Sequence, residues 1–292
     1  MPPLHFESQP RPTRVLTGQN PGQQQVSQPI SVAWTHSKAV RGARSKQVLI
    51  AGFPAGSFAA NCYVLASGPG AECLIIDPGQ DAEQGINDII ERYRLRPVAV
   101  LATHGHLDHI WSVAPVCDAR GIPAYIHPAD RALLSDPARG FGLGPAQQLF
   151  GGMTFTEPDD VLELTDGMML ELAGIELVVN HAPGHTPGSV TFRLAGEDVA
   201  GQPGLTPDGP AGGEAGTLFT GDLLFAGSIG RTDLPGGDYE TILTSLARVC
   251  LPLSDETLVL SGHGPQTTIG AERASNPFLS GLAPATGRTT GL

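Results

Sequence analysis

The chain has 292 residues, of which 40% are hydrophobic, and carries a formal net charge of −12 at pH 7. This length can bury a substantial core, either in one large domain or in two small ones. From Gln47 onward 11 basic residues face 28 acidic ones, a net charge of −17, and such an acidic body argues against a nucleic-acid partner because it repels phosphates.

The N-terminal segment is rich in Pro, Gln and Ser and holds six basic residues but few large apolar ones. It cannot bury enough surface to offset its chain entropy, so residues 1–46 are predicted to form a disordered or poorly ordered tail. The first thirty residues contain no apolar run typical of a secretory signal. No Cys-x-x-Cys pair occurs either, which favours reduced thiols in a cytoplasmic protein at the four scattered cysteines, Cys62, Cys73, Cys117 and Cys250.

Strand and helix signals alternate through the first half of the body. The uncharged stretch 47–71 is interrupted by Gly and Pro, so it is predicted as strands and turns and not as a membrane span. Apolar runs predict strands at Gln47–Phe53, Asn61–Ala66, Glu72–Asp77, Val98–Ala102 and Pro123–His127. Helical spacing predicts one helix with Ile86, Ile89, Ile90 and Tyr93 on its apolar face, a second from His109 to about Arg120, and a short third at Ala129–Leu134.

The second half repeats this alternation after a Gly-rich loop at Arg139–Asp160, whose composition fits either a lid or ordinary packing. Strands are predicted at Val161–Leu164, Met168–Leu172, Glu176–Asn180, Ser189–Leu194, Thr217–Thr220 and Thr257–Ser261. Residues 196–216 are Gly/Pro-rich and are predicted as a surface insertion. An amphipathic helix follows an N-cap at Asp238. We therefore expect one domain at 47–279, a short tail at 280–292, and two sheets packed face to face with helices outside.

Histidine and aspartate side chains are concentrated in four short segments. The first is Thr103-His104-Gly105-His106-Leu107-Asp108-His109, which offers four potential metal ligands within six residues. Single candidates follow at His185, Asp222 and His263. Imidazole and carboxylate ligands suit zinc, iron or manganese. Seven ligands are too many for one tetrahedral ion but are appropriate for two ions that share a carboxylate.

These segments resemble the metallo-β-lactamase-fold superfamily, whose signature is His-x-His-x-Asp-His followed by a lone His, a lone Asp and a last His. Within it the chain is similar to the glyoxalase II-like (hydroxyacylglutathione hydrolase-like) branch. That likeness rests on the phrases Gly184-His185-Thr186-Pro187-Gly188-Ser189, Gly221-Asp222-Leu223-Leu224-Phe225, Gly230-Arg231-Thr232-Asp233 and Gly262-His263-Gly264-Pro265. The resemblance covers roughly Val48 to Phe278 and implies an α/β fold, the four-layer αββα sandwich with two mixed sheets.

The resemblance also implies a role for each ligand. His104, His106 and His185 would hold a first divalent ion, and Asp108, His109 and His263 a second. Asp222 would bridge the two ions, and with Asp108 it would orient the nucleophile, a water ionised between the ions that attacks a carbonyl carbon. Zinc is the first expectation for both ions, with iron or manganese as alternatives.

Second-layer groups are expected to orient the histidines. Asp77, at a predicted strand end, and Asp233, in the Gly-Arg-Thr-Asp phrase, are the candidates, although both also suit plain loop hydrogen bonds. Arg231 is a candidate partner for an anionic substrate group or for an internal ion pair. His181 lies four residues before His185 and is a further candidate neighbour of the site, whereas His127 is predicted as a loop residue.

Three functions fit the pattern. The first is hydrolysis of a small-molecule thioester such as S-lactoylglutathione, because a leaving thiolate with a pKa of about 8.5 needs little help from a general acid. Only 29 residues follow His263, too few for the C-terminal glutathione-binding domain of glyoxalase II, so the thiol is left open. The second is a persulfide dioxygenase with one iron, and the third is a non-hydrolytic metal-bound module. β-Lactam hydrolysis is disfavoured by the missing export signal and by His109, and RNA processing by the acidic body.

Overall fold

The backbone forms two β-sheets that pack against each other, and helices cover their outer faces. The computed structural model describes residues 31–37, 47–143, 154–194, 197–198 and 216–283. In chain order the strands are β1 Ser31–Ser37, β2 Gln47–Ala55, β3 Ala60–Ala66, β4 Glu72–Ile76, β5 Arg96–Leu101, β6 Ala124–Ile126, β7 Val161–Glu163, β8 Met169–Leu172, β9 Ile175–His181, β10 Val190–Leu194, β11 Glu197–Asp198, β12 Thr217–Gly221, β13 Leu224–Phe225, β14 Ser228–Ile229, β15 Leu258–Ser261 and β16 Thr267–Thr268. The helices are α1 Ala82–Tyr93, α2 Leu107–Ile110, α3 Val113–Asp118, α4 Tyr239–Val249 and α5 Ile269–Ser275.

The two sheets each mix parallel and antiparallel neighbours. The first has the strand order β11-β1-β2-β3-β4-β5-β6-β7 and the second β16-β15-β12-β10-β9-β8. One apolar cluster lies between the sheets and joins residues such as Leu65 and Phe192. A second cluster packs α1 and α3 on the first sheet, and a third packs α4 on the second. These four layers confirm the predicted αββα architecture.

The two long helices follow the predicted periodicity. In α1, Ile86 and Ile89 are fully buried against the first sheet. In α4, Ile242 and Leu246 are buried against the second sheet, and the carboxylate of Asp238 accepts the backbone N–H of Thr241 at 2.7 Å. An apolar stripe repeated every three or four residues, closed by an N-cap, is therefore sufficient to locate both helices.

Several elements differ from the sequence prediction. The predicted tail includes β1, which pairs antiparallel with β2, and the predicted insertion includes β11, which pairs with β1. Ladder hydrogen bonds join backbone groups that every residue except proline carries, so a Pro/Gln-rich average over 1–46 does not reveal them. The other residues of both segments, and most of the predicted tail 280–292, lie outside the described residues.

Other differences concern helices. The helix predicted to run to Arg120 is two short ones, α2 and α3, because the chain bends at Trp111 and Ser112. The helix predicted at Ala129–Leu134 is a 3₁₀ turn at Arg131–Leu133, and a second 3₁₀ turn occupies Pro137–Phe141. In the Arg139–Asp160 loop, residues 144–153 are outside the described residues.

The described helices are short, and none combines the length and apolarity that a membrane crossing requires. All four cysteines are buried and unpaired. Burial raises the pKa of Cys73, Cys117 and Cys250 to about 12, so these thiols stay protonated and unreactive at neutral pH. The structure therefore gives them packing roles.

Candidate metal centre

Four loops deliver the candidate ligands to one end of the sheets. The chain leaves β5 and passes through His104 and His106 into α2, which carries Asp108 and His109. His185 lies between β9 and β10. Asp222 directly follows β12, and His263 comes two residues after the end of β15. Because β12 and β15 are parallel neighbours, their carboxyl ends lie side by side and bring the last two residues together.

Three histidines form the first half of the centre. The Nδ1 atom of His106 lies 2.8 Å from Nε2 of His185, which lies 3.2 Å from Nε2 of His104. All three rings are buried. Their nitrogens converge on one another, as metal ligands do.

The second half combines two histidines with a carboxylate. The Nε2 atom of His263 lies 3.0 Å from Oδ2 of Asp108 and 3.2 Å from Nε2 of His109. Asp222 lies between the halves. Its Oδ1 is 3.3 Å from Nε2 of His109, and its Oδ2 is 3.5 Å from Nε2 of His185 and 3.7 Å from Nε2 of His263. The structure thus brings together all seven predicted residues, which we call the floor of the site.

Burial and charge prepare the floor to hold cations. Burial, followed by the neighbouring imidazoles, lowers the pKa of His104 well below its ordinary value, and burial lowers the pKa of His106 to about 3. Burial opposes ionisation of Asp108 and Asp222, but the surrounding histidines, His109 foremost, together outweigh it and lower the pKa of both carboxyls. Burial alone would lower the pKa of His109 and His263, but the carboxylates of Asp108 and Asp222 outweigh it and raise the pKa of both rings. Divalent ions bind neutral imidazoles and ionised carboxylates, so an ion in that half would displace the protons of those two rings. This donor set therefore fits a divalent metal centre.

Hydrogen bonds behind the floor fix which ring nitrogens face inward. Nδ1 of His185 donates to the backbone carbonyl of Arg231 at 2.7 Å. Nδ1 of His109 contacts Oδ2 of Asp77 at 3.0 Å. Thr103 donates its hydroxyl to that same carboxylate at 2.6 Å and can accept from Nδ1 of His104 at 3.1 Å. In each case Nδ1 carries the proton and Nε2 presents a lone pair to the centre.

Asp77 thus lies directly behind the floor, in contact with the His109 ring. Its side chain is buried and its backbone has φ 49°, a left-handed conformation that Asp tolerates better than most residues. Besides the bonds already described, Oδ1 accepts the backbone N–H of Thr103 at 2.7 Å. One carboxylate therefore ties the end of β4 to the loop that carries the first histidines.

The structure places Asp233 differently from the sequence prediction. Its carboxylate forms a two-point ion pair with the exposed guanidinium of Arg231, at 2.7 Å for both contacts, so it points away from the histidines. The backbone carbonyl of Arg231, not Asp233, orients His185. The internal ion pair proposed for Arg231 is present. His181 also lies apart from the floor, since its ring stacks on His127 and its Nε2 meets the carbonyl of Pro187 at 2.8 Å.

Asp130 is a site-supporting residue that the sequence analysis missed. It is completely buried, and its carboxylate accepts the backbone N–H of Gly105 at 2.8 Å, the backbone N–H of Gly188 at 2.7 Å and the hydroxyl of Thr186 at 2.6 Å. The first bond lies between His104 and His106, and the other two lie one and three residues after His185. Asp130 therefore joins the two loops that hold the three-histidine half. The only signal in the sequence was an aspartate three residues after the predicted strand Pro123–His127.

Asn61 and Gly262 support the loop that carries His263. The backbone N–H of Asn61 donates to the carbonyl of Gly262 at 2.7 Å, and its side-chain amide donates to the carbonyls of Ser261 and Gly264, each at 3.0 Å. A Cβ atom at Gly262 would collide with Oδ1 of Asp222. The loop can therefore approach the floor this closely only with glycine there.

Above the floor lies an open cleft of about 450 Å³. Its walls are mainly apolar, and we call these side chains the rim: Phe58, Phe141, Phe225, Ile229 and Leu234. Ser228 and Arg231 are the polar wall residues among those described. Phe141 stacks on His106 with ring centroids 6.3 Å apart, and Phe225 meets the edge of His263 at 6.1 Å. A small molecule that reaches the floor must therefore pass apolar side chains.

This geometry agrees with comparisons to known proteins. Residues 55–200 and 204–263 match the Metallo-beta-lactamase superfamily. The chain belongs to this superfamily. An uncharacterized protein of Mycobacterium tuberculosis is 49% identical over 238 residues, covering 81% of this chain and 100% of that protein. The hydroxyacylglutathione hydrolase GloC of Haemophilus influenzae is 36% identical over 231 residues, covering 78% of this chain and 96% of that protein. The predicted resemblance to this superfamily and to its hydroxyacylglutathione hydrolases is confirmed.

Two solved structures of the superfamily are also similar over most of the chain. The BLEG-1 B3 metallo-beta-lactamase has 40% identity and a TM-score of 0.65, covering 80% of this chain and 100% of that one. The TTHA1623 protein in a di-iron-bound form has 36% identity and a TM-score of 0.58, covering 77% of this chain and 97% of that one. Both cover nearly the whole described body. The superfamily assignment makes this chain a metallo-hydrolase.

Proposed function

We propose that the chain is a cytoplasmic binuclear metallohydrolase that cleaves a thioester, or a related ester, of a small molecule. The observation that carries the proposal is the floor itself, in which Asp222 lies between two sets of three ligands. Its two oxygens lie 3.3 Å from Nε2 of His109 and 3.5 Å from Nε2 of His185. A carboxylate at that position suits two ions better than one.

We assign His104, His106 and His185 to the first ion and Asp108, His109 and His263 to the second, with Asp222 shared. Two divalent ions held there, zinc in the first instance, would supply Lewis acidity and lower the pKa of a water molecule, as one zinc does from 15.7 to about 7. Asp108 and Asp222 remain ionised and so can orient the attacking water through their oxygens. Asp77, Thr103 and the Arg231 carbonyl would act through His109, His104 and His185. Their contacts with Nδ1 direct the Nε2 lone pair of each ring toward the centre.

A thioester matches these groups because its cleavage demands little proton transfer. A water that has lost a proton to solvent adds its oxygen to the carbonyl carbon, the C–S bond then breaks, and the sulfur leaves as a thiolate with a pKa of about 8.5. An alcohol leaves less readily without a general acid. Among the described residues the cleft offers His and Asp side chains only on the floor. The relationship to GloC, named a hydroxyacylglutathione hydrolase, supports the same reaction class.

β-Lactam hydrolysis is a second candidate because BLEG-1, named a B3 metallo-beta-lactamase, is 40% identical to this chain. Both reactions need water attack on a carbonyl carbon above such a floor. They differ in the leaving group, which is an amine in the lactam and a thiolate in the thioester. A substrate panel separates them directly.

The test is hydrolysis by purified protein of S-lactoylglutathione, other small thioesters and a chromogenic cephalosporin, before and after metal removal with a chelator. The proposal expects thioester turnover that chelation abolishes and added metal restores. Asp88→Ala serves as a control variant, because Asp88 is exposed on α1. Turnover of the cephalosporin alone would replace the proposal with the second candidate. Oxygen consumption with a glutathione persulfide, without thioester cleavage, would replace it with the dioxygenase.

A further inference from the structure

The cleft walls differ in chemistry from the floor. Beyond the floor, five of the seven described wall residues are apolar, and three of those are phenylalanines. Phe58 is 45% exposed and Phe141 is 36% exposed, so both rings face solvent beside the cleft. Large apolar groups that stay exposed around a concave site are typical of ligand-binding surfaces. They indicate that the bound molecule itself supplies apolar surface.

The charged residues of the cleft wall also favour an uncharged ligand. Arg231 is the cation lining the cleft among the described residues, and both of its contacts to Asp233 measure 2.7 Å. The pair carries no net charge. Arg139 precedes the rim residue Phe141 by two positions, but its guanidinium lies 3.3 Å from the carboxylate of Asp136. Within the described part of the chain, Arg231 and Arg139 are therefore each already balanced by a carboxylate.

The rest of the sequence offers few further cations. Residues 144–153, which follow the second 3₁₀ turn, contain no Lys or Arg, and neither do residues 199–215. From residue 47 onward no lysine occurs at all. The net charge of −17 over that stretch repels an anionic molecule at long range. Recognition of a substrate through its carboxylates is thus poorly supported.

We propose that the groups beside the reacting carbonyl of the substrate are uncharged and apolar, as in the thioester of an arylalkyl thiol. This inference rests on the proposed hydrolase function and narrows its substrate class. A glutathione thioester carries two carboxylates and one ammonium group on the thiol side, and the rim gives the carboxylates no free cation. A phenyl group in the same position can instead pack against Phe58 and Phe141.

The first experiment compares kcat/KM for two lactoyl thioesters, one of glutathione and one of phenylmethanethiol. Both release an alkyl thiolate and an identical acid, so the comparison isolates the thiol's contact with the protein. The thioester of phenylmethanethiol is expected to be preferred about tenfold or more, since burial of one aromatic side chain is worth that much. Phe58→Ala should reduce this preference several-fold, whereas Met169→Ala, an exposed apolar control on β8 that does not line the cleft, should leave it unchanged.

The second experiment isolates charge. Lactoyl thioesters of 3-mercaptopropionate and of its methyl ester differ only in a carboxylate. Asp233→Asn frees the guanidinium of Arg231, so the ratio of kcat/KM for the carboxylate over the ester should rise by up to about fivefold, the range of an exposed ion pair. Asp159→Asn alters the net charge equally at an exposed position that does not line the cleft and should leave that ratio unchanged.

The outcomes separate the two proposals. A glutathione thioester hydrolysed as well as or better than the phenylmethanethiol ester would overturn this inference and leave the hydrolase function standing. An unchanged ratio in Asp233→Asn would also count against it, because the ion pair would then not be what keeps the Arg231 guanidinium from a substrate carboxylate. Failure to hydrolyse any thioester would overturn the proposed function, and this inference with it.

Discussion

The floor and the rim of the cleft are built on opposite principles. On the floor, histidines and carboxylates are buried or half-buried, and partners such as Asp77 and the Arg231 carbonyl fix the rings behind them. On the rim, Phe58 and Phe141 are exposed and contribute shape and apolar surface. Under the proposed function, the polar groups of the floor would determine which bond is attacked, and the apolar groups of the rim which molecule is bound. Variants of the two regions should therefore fail in different ways.

The largest effect is expected on the floor. Asp222→Ala removes the carboxylate between the two sets of ligands, so the second ion should be lost and kcat/KM should fall by about 10³-fold or more, equivalent to ~4 kcal/mol. Metal analysis measures the loss of the ion, and thioester turnover measures the fall in kcat/KM. Asp88→Ala should retain wild-type values. An Asp222→Ala protein with full metal content and activity would break the distinction between the regions.

The next largest effect is expected directly behind the floor. Asp77→Asn weakens the acceptor for Nδ1 of His109, so metal affinity should fall roughly 10–100-fold. Competition with a chelator of known affinity measures this, and urea unfolding of the metal-free protein serves as a check on folding. Unchanged affinity would mean that the buried contact between Asp77 and His109 does not tune the centre.

Asp130 tests whether loop geometry matters as much as ligand chemistry. Asp130→Asn leaves the backbone N–H of Gly105 or Gly188 without a good acceptor, which should lower the free energy of unfolding by about 1–3 kcal/mol. Metal affinity should fall as well, because the loops of His106 and His185 are no longer joined. Asp118→Asn is an exposed control at the end of α3. A stability loss with unchanged metal affinity would restrict Asp130 to folding.

The smallest effect is expected on the rim. Phe141→Ala should leave metal content unchanged and reduce kcat/KM for an apolar thioester by roughly tenfold or less, mainly through KM, because packing area is lost and no ligand is touched. Leu162→Ala, an exposed apolar residue of β7, is the matched control. Loss of metal in Phe141→Ala would mean that the rim and the floor are one unit, since this ring stacks on His106.

The sequence revealed the floor far better than its surroundings. The seven floor residues form a recognisable spacing because metal chemistry would restrict each of these positions to a residue such as His or Asp. Asp130 went unnoticed because its partners Gly105 and Gly188 lie 25 and 58 residues away and bond through backbone atoms. The Arg231 carbonyl is invisible for the same reason. Asp233 was misassigned because the Gly-Arg-Thr-Asp phrase was treated as a unit. The group of this phrase that contacts His185 is the backbone carbonyl of Arg231 and not the carboxylate of Asp233.

The fold shows a similar division. Periodic helices and apolar strands were located because their burial patterns run over many residues. The β13–β14 hairpin, with strands of two residues each, was missed, although it carries the rim residues Phe225 and Ile229. Strands this short bury too few side chains to leave a period. The part of the cleft that we propose contacts the substrate is thus the part least predictable from the sequence.

The central claim is that two ions act together on one floor. The most direct measurement is titration of metal back into chelator-treated protein while thioester hydrolysis is followed. Activity should rise until about two equivalents of metal per chain are bound. Asp222→Ala should not reach that activity at any ratio of metal to protein. Full activity at one equivalent, or activity that survives complete metal removal, would contradict the account.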